Sequence, residues 1–243
     1  FGRWWWSVDR LTVMALLVLS VAGIVLVSAA SPSVAERLKL PPFYFVYRQI
    51  AFLIPSLLLM FSVSLLGKKA LWRFSFLLLV GMAFLTALTL VIGAEVKGAT
   101  RWISMPGFSL QPSEFLKPSL AIVSAWLIAR GRQEGNFSGH RISTGVYLTL
   151  LCLLLLQPDL GMSFVLSCIW GVQIFLSGLP MLIVIILGIA GIGGLFAAYL
   201  FFPHVTSRID RFLDPAAGDN YQVQKSLDAF ANGGLLGTGP GHG

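Results

Sequence analysis

Long apolar runs separated by short polar segments constrain this sequence more than any other feature. Seven runs of near-membrane length cover about residues 11–30, 49–66, 74–94, 115–129, 142–158, 161–177 and 180–202. A helix needs about 20 apolar residues to cross the hydrocarbon core of a bilayer. Charged residues make up only 11% of the 243 positions, whereas about 25% is usual in soluble domains. The sequence therefore predicts an all-α, polytopic transmembrane helix bundle forming a single membrane domain over residues 1–243.

The net charge of +7 comes from Lys and Arg in short clusters between the apolar runs. This distribution favours anionic lipid headgroups and anionic substrates as partners and argues against nucleic acid. The cation density in segments 1–10, 67–73 and 130–141 predicts a cytoplasmic N-terminus. Cys152 and Cys168 lie within apolar runs and lack metal-ligand spacing. No metal site and no cofactor is predicted, and a divalent cation requirement stays open.

In that orientation, two outside segments are too long and too polar to be simple turns, namely 95–114 and 203–243. In the first, Ser113 is predicted to cap a helix that begins at Glu114. Glu114 and Lys117 then lie three residues apart on one helical face. Such pairs on a surface usually contribute little. Ionisable groups at the mouth of a membrane span, however, tend to mark substrate paths, so a functional role is favoured.

The motif QPDLG, residues 157–161, places a carboxylate within a nearly continuous apolar stretch. Pro-Asp is ordinary turn chemistry, so a solvated hairpin turn is one interpretation. The alternative is a carboxylate near the membrane edge, with Lys117 as its candidate cationic partner. In that case, a structural salt bridge and a substrate-binding carboxylate are both consistent with the pattern.

The last segment, which begins at Arg208, supplies two arginines, several aspartates and a run of glycines. The glycine run lacks the Gly-Lys-Ser/Thr ending of a phosphate-binding P-loop, and no strand is predicted before it. Nucleotide binding is therefore not predicted, and a flexible loop is the alternative to a functional segment.

Taken in order, GATRWI, FSLQPSEFLKP, QPDLG, SRIDRFLDP, YQ and GGLLGTGPGHG closely resemble the motifs of the FtsW/RodA (SEDS) family. They occur in the family's order over nearly the whole chain, which makes the resemblance specific. The segments WWWSVDR, GAEVKGA and FPHVTSRIDRFLDPA most resemble the division-type member of alpha-proteobacteria.

The resemblance implies a ten-helix peptidoglycan glycosyltransferase that polymerises lipid II, in the bacterial inner membrane at the division septum. It also implies a class B penicillin-binding transpeptidase and other divisome proteins as partners. Motif matching assigns eight residues to the family's periplasm-facing substrate cavity: Arg101, Trp102, Gln111, Ser113, Glu114, Lys117, Asp159 and Arg208.

The resemblance further implies that the catalytic base belongs to a large periplasmic loop that begins in 203–243 and continues beyond Gly243. The chain is therefore expected to be a fragment, incomplete at its C-terminus and inactive by itself. Two alternative functions stay open. Buried ion pairs and broken helices would also suit a lipid II flippase, although the spans show no evident inverted repeat. A scaffold that recruits the transpeptidase is the third interpretation.

Overall fold

The computed structural model describes residues 2–96, 99–105, 108–178, 180–201, 205–207, 209–210, 221–234, 237 and 239. Two compact units are present. The central unit is Leu66–Ile192, and the terminal unit combines Phe1–Leu65 with Gly193–Gly243. The prediction of a helical bundle is confirmed, because helices lie at all seven predicted span positions.

The elements are as follows in chain order. The terminal unit begins with α1 (Gly2–Ser7), α2 (Arg10–Arg37) and α3 (Tyr44–Ser64). The central unit contains α4 (Lys68–Ile92), β1 (Ala94–Val96), β2 (Ala99–Met105), β3 (Phe108–Leu110), α5 (Ser113–Gln133), α6 (Gly139–Leu156) and α7 (Leu160–Leu176). Helix α8 (Met181–Phe201) crosses the boundary between the units, and α9 (Tyr221–Gly233) follows in the terminal unit.

Five helices in the described part of the chain are long and apolar enough to cross a membrane: α2, α3, α4, α6 and α8. Helix α7 is apolar but has only 17 residues. Helix α5 is long enough but carries charged residues in both its first and its last turn. Five such helices make this a multi-pass membrane protein, and the predicted total of ten helices stays a prediction.

Within the terminal unit, α2 begins directly after a capping aspartate. The Asp9 carboxylate accepts hydrogen bonds from the backbone N–H of Leu11 at 3.1 Å and from the Thr12 hydroxyl. The bond from Thr12 is the main cause that lowers the pKa of Asp9 below its ordinary value. At the other end of α2, the Ser31 hydroxyl donates to the Pro42 carbonyl at 2.6 Å, which fixes the turn into α3. Both ends of this long helix are therefore held by side-chain hydrogen bonds.

The core of the central unit is built around α5, which packs against α4, α6 and α7. Its buried face is a stripe at helical spacing, and that stripe consists of Leu116, Leu120, Val123 and Leu127. Leu79 of α4, Leu150 and Leu154 of α6, and Leu166 of α7 complete the cluster. Helix neighbours rather than lipid surround this face of α5. This explains how a helix with charged ends is accommodated in the bundle.

A small antiparallel sheet occupies much of the polar segment 95–114, and its strand order is β1-β2-β3. In the second strand pair, Ile103 lies opposite Leu110 and Ser104 lies opposite Ser109. The sheet returns the chain to the same end of the bundle at which α4 finished. The predicted capping role of Ser113 is wrong, because α5 starts at Ser113 itself, and Pro112 at the N-cap makes no side-chain capping bond.

Candidate functional site

One end of the central unit collects the polar residues that the sequence singled out. Helices α4 to α7 alternate in direction, so α4 and α6 end where α5 and α7 begin. Farther from this end, hydrogen bonds of the Gln173 side chain of α7 to α5 support the parallel alignment of these two helices. The Gln173 amide donates to the Ala121 carbonyl of α5 at 2.7 Å and accepts from the Ser124 hydroxyl. The motif residues on β2, α5 and α7 are thereby brought to a common end.

An ion pair between β2 and the start of α7 is the main feature of this end. Arg101 Nη1 lies 3.3 Å from Asp159 Oδ1, and Arg101 Nη2 contacts the Pro158 carbonyl at 3.4 Å. The Asp159 side chain is only 4% exposed, whereas that of Arg101 is 23% exposed. The carboxylate is therefore the buried member of the pair, and the guanidinium is partly open to its surroundings.

The position of Asp159 explains how the bundle tolerates a buried carboxylate. Asp159 is the N-cap of α7, and its Oδ1 accepts a hydrogen bond from the backbone N–H of Met162 at 3.3 Å. A helix N-terminus stabilises negative charge, and the guanidinium supplies the opposite charge. The interpretation of Asp159 as a solvated turn residue is wrong, because the residue is 3% exposed.

The pair retains hydrogen-bonding capacity beyond its mutual contact. In the described part of the chain, no partner is found for the buried Asp159 Oδ2 or for the buried Arg101 Nε. A guanidinium carries five N–H donors in a planar fork that matches phosphate and carboxylate oxygens. Arg101 is therefore oriented by Asp159 and still has donors with which to bind an anionic group.

The predicted pairing of Lys117 with Asp159 is wrong. Lys117 Nζ lies 2.7 Å from Glu114 Oε2, within the first turns of α5. Asp159 is paired with Arg101 instead. Asp159 meets Arg101 because the sheet brings β2 beside the start of α7. Lys117 meets Glu114 because two residues three apart lie on the same face of one helix, which requires no tertiary structure.

The remaining predicted site residues occupy different environments. Gln111 Nε2 donates to the Ser113 hydroxyl at 3.2 Å, which joins the end of the sheet to the start of α5. Trp102 is half-buried on β2, next to Arg101. Arg208 lies outside the described residues, so its predicted role in the cavity stays a prediction.

A buried polar cluster behind the ion pair was not identified from the sequence. Gln157 is 1% exposed, and Thr86 and Thr89 of α4 are fully buried. Gln157 Nε2 donates to the Thr86 carbonyl at 2.9 Å and also bonds to the Thr89 hydroxyl. Two threonines three residues apart in a largely apolar helix are the feature of the sequence that could have indicated this cluster. This cluster ties α4 to the turn that carries Asp159.

No group of three or more His, Cys, Asp or Glu side chains in the described ranges is placed to hold a metal ion. The described site residues are an arginine, a lysine, two carboxylates and neutral hydrogen-bonding side chains. Such a set can bind an anionic, hydroxyl-bearing ligand through charge and hydrogen bonds.

Comparison with known proteins identifies the family. The FtsW/RodA/SpoVE family, described as cell cycle protein, matches residues 9–243. A probable peptidoglycan glycosyltransferase FtsW from Caulobacter vibrioides is 35% identical over 243 residues, which is 100% of this chain and 62% of that protein. The corresponding protein of Saccharophagus degradans is 35% identical, over 93% of this chain and 60% of the relative.

Solved structures agree with this assignment. A chain of a peptidoglycan synthase complex, solved for the coordination of polymerization and crosslinking, matches with a TM-score of 0.71 and 29% identity, over 93% of this chain and 66% of that one. The rod shape determining protein RodA of Thermus thermophilus matches with a TM-score of 0.57 and 32% identity, over 76% of this chain and 57% of RodA.

The chain thus spans about 60% of the length of these curated relatives, which are 62% and 60% covered. The relatives are FtsW proteins, which confirms the resemblance to the division-type member that the segments WWWSVDR, GAEVKGA and FPHVTSRIDRFLDPA indicated. Family match, sequence identity and fold agree over nearly the whole chain, and the chain belongs to the FtsW/RodA/SpoVE family.

Proposed function

We propose that the protein containing this chain is a peptidoglycan glycosyltransferase that polymerises lipid II into glycan strands during cell division. The single observation that carries the proposal is the partly exposed Arg101 guanidinium, held by the buried Asp159 carboxylate at 3.3 Å. The names of the FtsW relatives support the same activity.

The geometry suits transfer from a lipid diphosphate. Negative charge develops on the departing diphosphate, and donors already fixed in position stabilise it most effectively. Asp159 fixes Arg101 in advance, so the guanidinium does not need to reorganise when the charge forms. Lys117 is a second cation at this end, and its partner Glu114 is half exposed. Arg101 therefore binds the diphosphate, and Lys117 contributes to the positive potential of the entrance.

The general base is a further part of the proposal. The sugar 4-hydroxyl that attacks must lose a proton, which requires a positioned acceptor. Asp159 is already engaged as the partner of Arg101 and as a helix cap. We propose from the family resemblance, and not from the geometry, that the base is a carboxylate of the large periplasmic loop that begins in 203–243.

Location and partners follow from the same assignment. The multi-pass helices require a membrane. The proposed use of a lipid-linked cell-wall precursor in division supports a location in the bacterial inner membrane at the septum. The cation clusters at 67–73 and 130–141 support a cytoplasmic N-terminus. A class B penicillin-binding transpeptidase and other divisome proteins are the proposed partners, supported by the match to a peptidoglycan synthase complex.

The test is lipid II polymerisation by the purified full-length protein with its transpeptidase partner. Arg101→Lys keeps the charge but removes the planar fork, and we expect at least about a 100-fold loss of rate, as for removal of one preorganised donor. Arg132→Lys is the matched control, because it makes the same change at the opposite end of the bundle, where Arg132 lies beside Gly178 and a Cβ on that glycine would be 3.4 Å from Nη2.

The same preparation separates the alternative functions. Glycan chains that depend on Arg101 support the glycosyltransferase. Movement of lipid II across the membrane without glycan synthesis would identify a flippase instead. Full polymerisation by folded Arg101→Lys protein would reject the proposed role of the Arg101–Asp159 pair.

A further inference from the structure

An apolar groove opens at the end of the central unit opposite the Arg101–Asp159 pair. The first half of α4, the second half of α5 and the first half of α6 form it, and its volume is about 450 Å³. That volume lies within the range of about 300–1,000 Å³ that is usual for ligand sites. Its lining residues include Phe76, Val80, Val123, Ile142, Gly145 and Leu150.

The groove is open at a surface formed by helices of membrane-spanning length. Helices α4 and α6 are membrane-spanning by length and composition. Three of the lining side chains remain about half exposed, with Phe76 at 45%, Val80 at 54% and Ile142 at 43%. A nearly wholly apolar groove on a lipid-facing surface fits a hydrocarbon chain and offers almost nothing to a sugar or a diphosphate.

Two tryptophan rings line the groove, and a cation lies beside one of them. The rings of Trp72 and Trp126 have centroids 4.3 Å apart. The Arg130 guanidinium lies 5.2 Å from the Trp126 ring and 4.9 Å from the Phe137 ring. In the described part of the chain, the buried indole N–H of Trp72 has no hydrogen-bond partner. Tryptophan and arginine in this arrangement are typical of the boundary between acyl chains and headgroups.

The charges around this boundary are strongly unbalanced. The turns of α4, α5 and α6 at this end carry the cations Lys68, Lys69, Arg73, Arg130, Arg132 and Arg141. Over residues 66–80 and 125–145 the only acidic residue is Glu134, and it pairs with Arg130 at 3.0 Å. The net positive charge complements an anionic headgroup and would not select a zwitterionic one.

We propose that this groove binds one acyl chain of an anionic glycerophospholipid from the surrounding bilayer. The phosphate lies against Arg130 and its neighbouring cations, and the acyl chain lies along α4 and α6 over Gly145. The site is separate from the proposed reaction site, because it lies at the opposite end of the same helices. Its ligand is therefore a structural lipid of the bilayer and not the lipid-linked substrate.

Two glycines provide a matched test of the groove. A Cβ added at Gly145 or at Gly171 meets no atom within 4 Å, so either position accepts a larger side chain. The His140–Ser177 hydrogen bond of 3.1 Å places the corresponding ends of α6 and α7 side by side. Gly145 lies five residues from His140 and Gly171 lies six residues from Ser177, but of the two only Gly145 lines the groove. Gly145→Leu therefore fills the groove, and Gly171→Leu adds the same side chain elsewhere.

The measurement is native mass spectrometry of the full-length protein taken from nanodiscs of equimolar phosphatidylglycerol and phosphatidylcholine. We expect the wild-type protein and Gly171→Leu to retain phosphatidylglycerol preferentially. Gly145→Leu should lower that retention about tenfold, which corresponds to losing the burial of about two methylene groups.

The headgroup contact has its own matched pair. Arg130→Gln should reduce retention of phosphatidylglycerol about fivefold, as expected for one cation near an anionic surface. Arg132→Gln, two residues along α5 and beside Gly178, should have a smaller effect.

Three outcomes would overturn the proposal. Equal retention of the two lipids would show that the site does not select an anionic headgroup. Equal retention by the two leucine variants would show that the acyl chain does not lie in the groove. A structure of the full-length protein in which a protein helix fills the groove would assign it to packing instead. The lipid readout does not depend on glycan synthesis, so it stands or falls independently of the proposed enzymatic activity.

Discussion

The two ends of the central unit bury polarity in different ways. At the polar end, defined by Arg101, Gln157 and Asp159, a buried carboxylate and a buried amide are paired with groups on other strands or helices. At the aromatic end, defined by Trp72, Trp126 and Arg130, the cation lies over a ring and its side chain stays 43% exposed. The polar end therefore depends on specific hydrogen-bond and ion-pair partners. The aromatic end depends on amphipathic side chains, which can lie between an apolar and a polar environment.

The difference has a physical cause. A buried charge or amide that loses its partner retains the full cost of desolvation. A half-exposed cation can return to water or to lipid headgroups when its partner is removed. We therefore expect substitutions at the polar end to cost more stability than substitutions at the aromatic end, and the following measurements can break or sharpen that expectation.

The largest effect is expected for Asp159→Ala in the full-length protein. The change strands Arg101 and removes the cap of α7, and breaking a buried pair in this way costs about 3–5 kcal/mol. The free energy of unfolding in mixed micelles, titrated with SDS, measures the loss. The double variant Arg101→Ala, Asp159→Ala should lose clearly less than the sum of the two single variants, because residues in contact are non-additive. Strict additivity would show that the two side chains do not interact.

A smaller loss is expected for Thr89→Val on α4. The near-isosteric change removes the hydroxyl that bonds to the buried Gln157 amide, and leaving a buried donor without its partner costs about 1–3 kcal/mol. Thr149→Val on α6 is the control, because the Thr149 hydroxyl is exposed and bonds only to the Gly145 carbonyl of its own helix, at 2.9 Å. The same unfolding titration should show little change for the control. Equal losses would mean that the Gln157 cluster does not stabilise this end.

Arg130→Gln tests the aromatic end. Removing the guanidinium from the rings of Trp126 and Phe137 should cost about 0.5–1 kcal/mol, the usual worth of a partly exposed cation–π contact. Tryptophan fluorescence during the same titration reports on this end directly, since Trp72 and Trp126 are in contact. A loss as large as that of Asp159→Ala would contradict the distinction between the two ends.

The smallest effect is expected for Lys117→Gln. The Glu114–Lys117 pair lies at a spacing of three on one helix, and its side chains are 49% and 27% exposed. Such a pair contributes about 0.2–0.5 kcal/mol, and added salt screens it further. Stability should therefore change very little, even though the residue lies at the polar end. A loss above about 2 kcal/mol would show that Lys117 belongs to a buried network and not to a partly exposed pair on one helix.

The local pattern of the sequence predicted the Glu114–Lys117 pair, because both residues belong to one helix and their spacing alone brings them together. The same pattern could not predict the partner of Asp159. Arg101 is 58 positions away in sequence (159 − 101), and it reaches Asp159 only because three short strands fold back beside the start of α7. Those strands were missed because β1 and β3 have only three residues each, and the seven residues of β2 do not alternate strictly between apolar and polar side chains.

The groove and the Gln157 cluster were missed for a related reason. In the sequence, Thr86 and Thr89 are two polar residues within an apolar helix. Only the structure shows that Gln157 is hydrogen-bonded to them. Trp72 and Trp126 belong to different helices, and their rings meet only because α4 and α5 pack side by side. Each feature requires two helices at a defined distance and rotation, which no single run of sequence contains.

The sequence by itself determined the membrane class, the positions of the helices and the family, because apolar run length and ordered motifs are properties of the linear chain. The tertiary structure decided which charges meet, since helix crossing and the small sheet set the distance between residues that are remote in sequence. The degree of burial then determines how strongly two charges at a given distance interact. An arginine and an aspartate in a solvated turn would attract each other weakly, whereas the same pair with a carboxylate 4% exposed becomes the most sensitive point of the bundle.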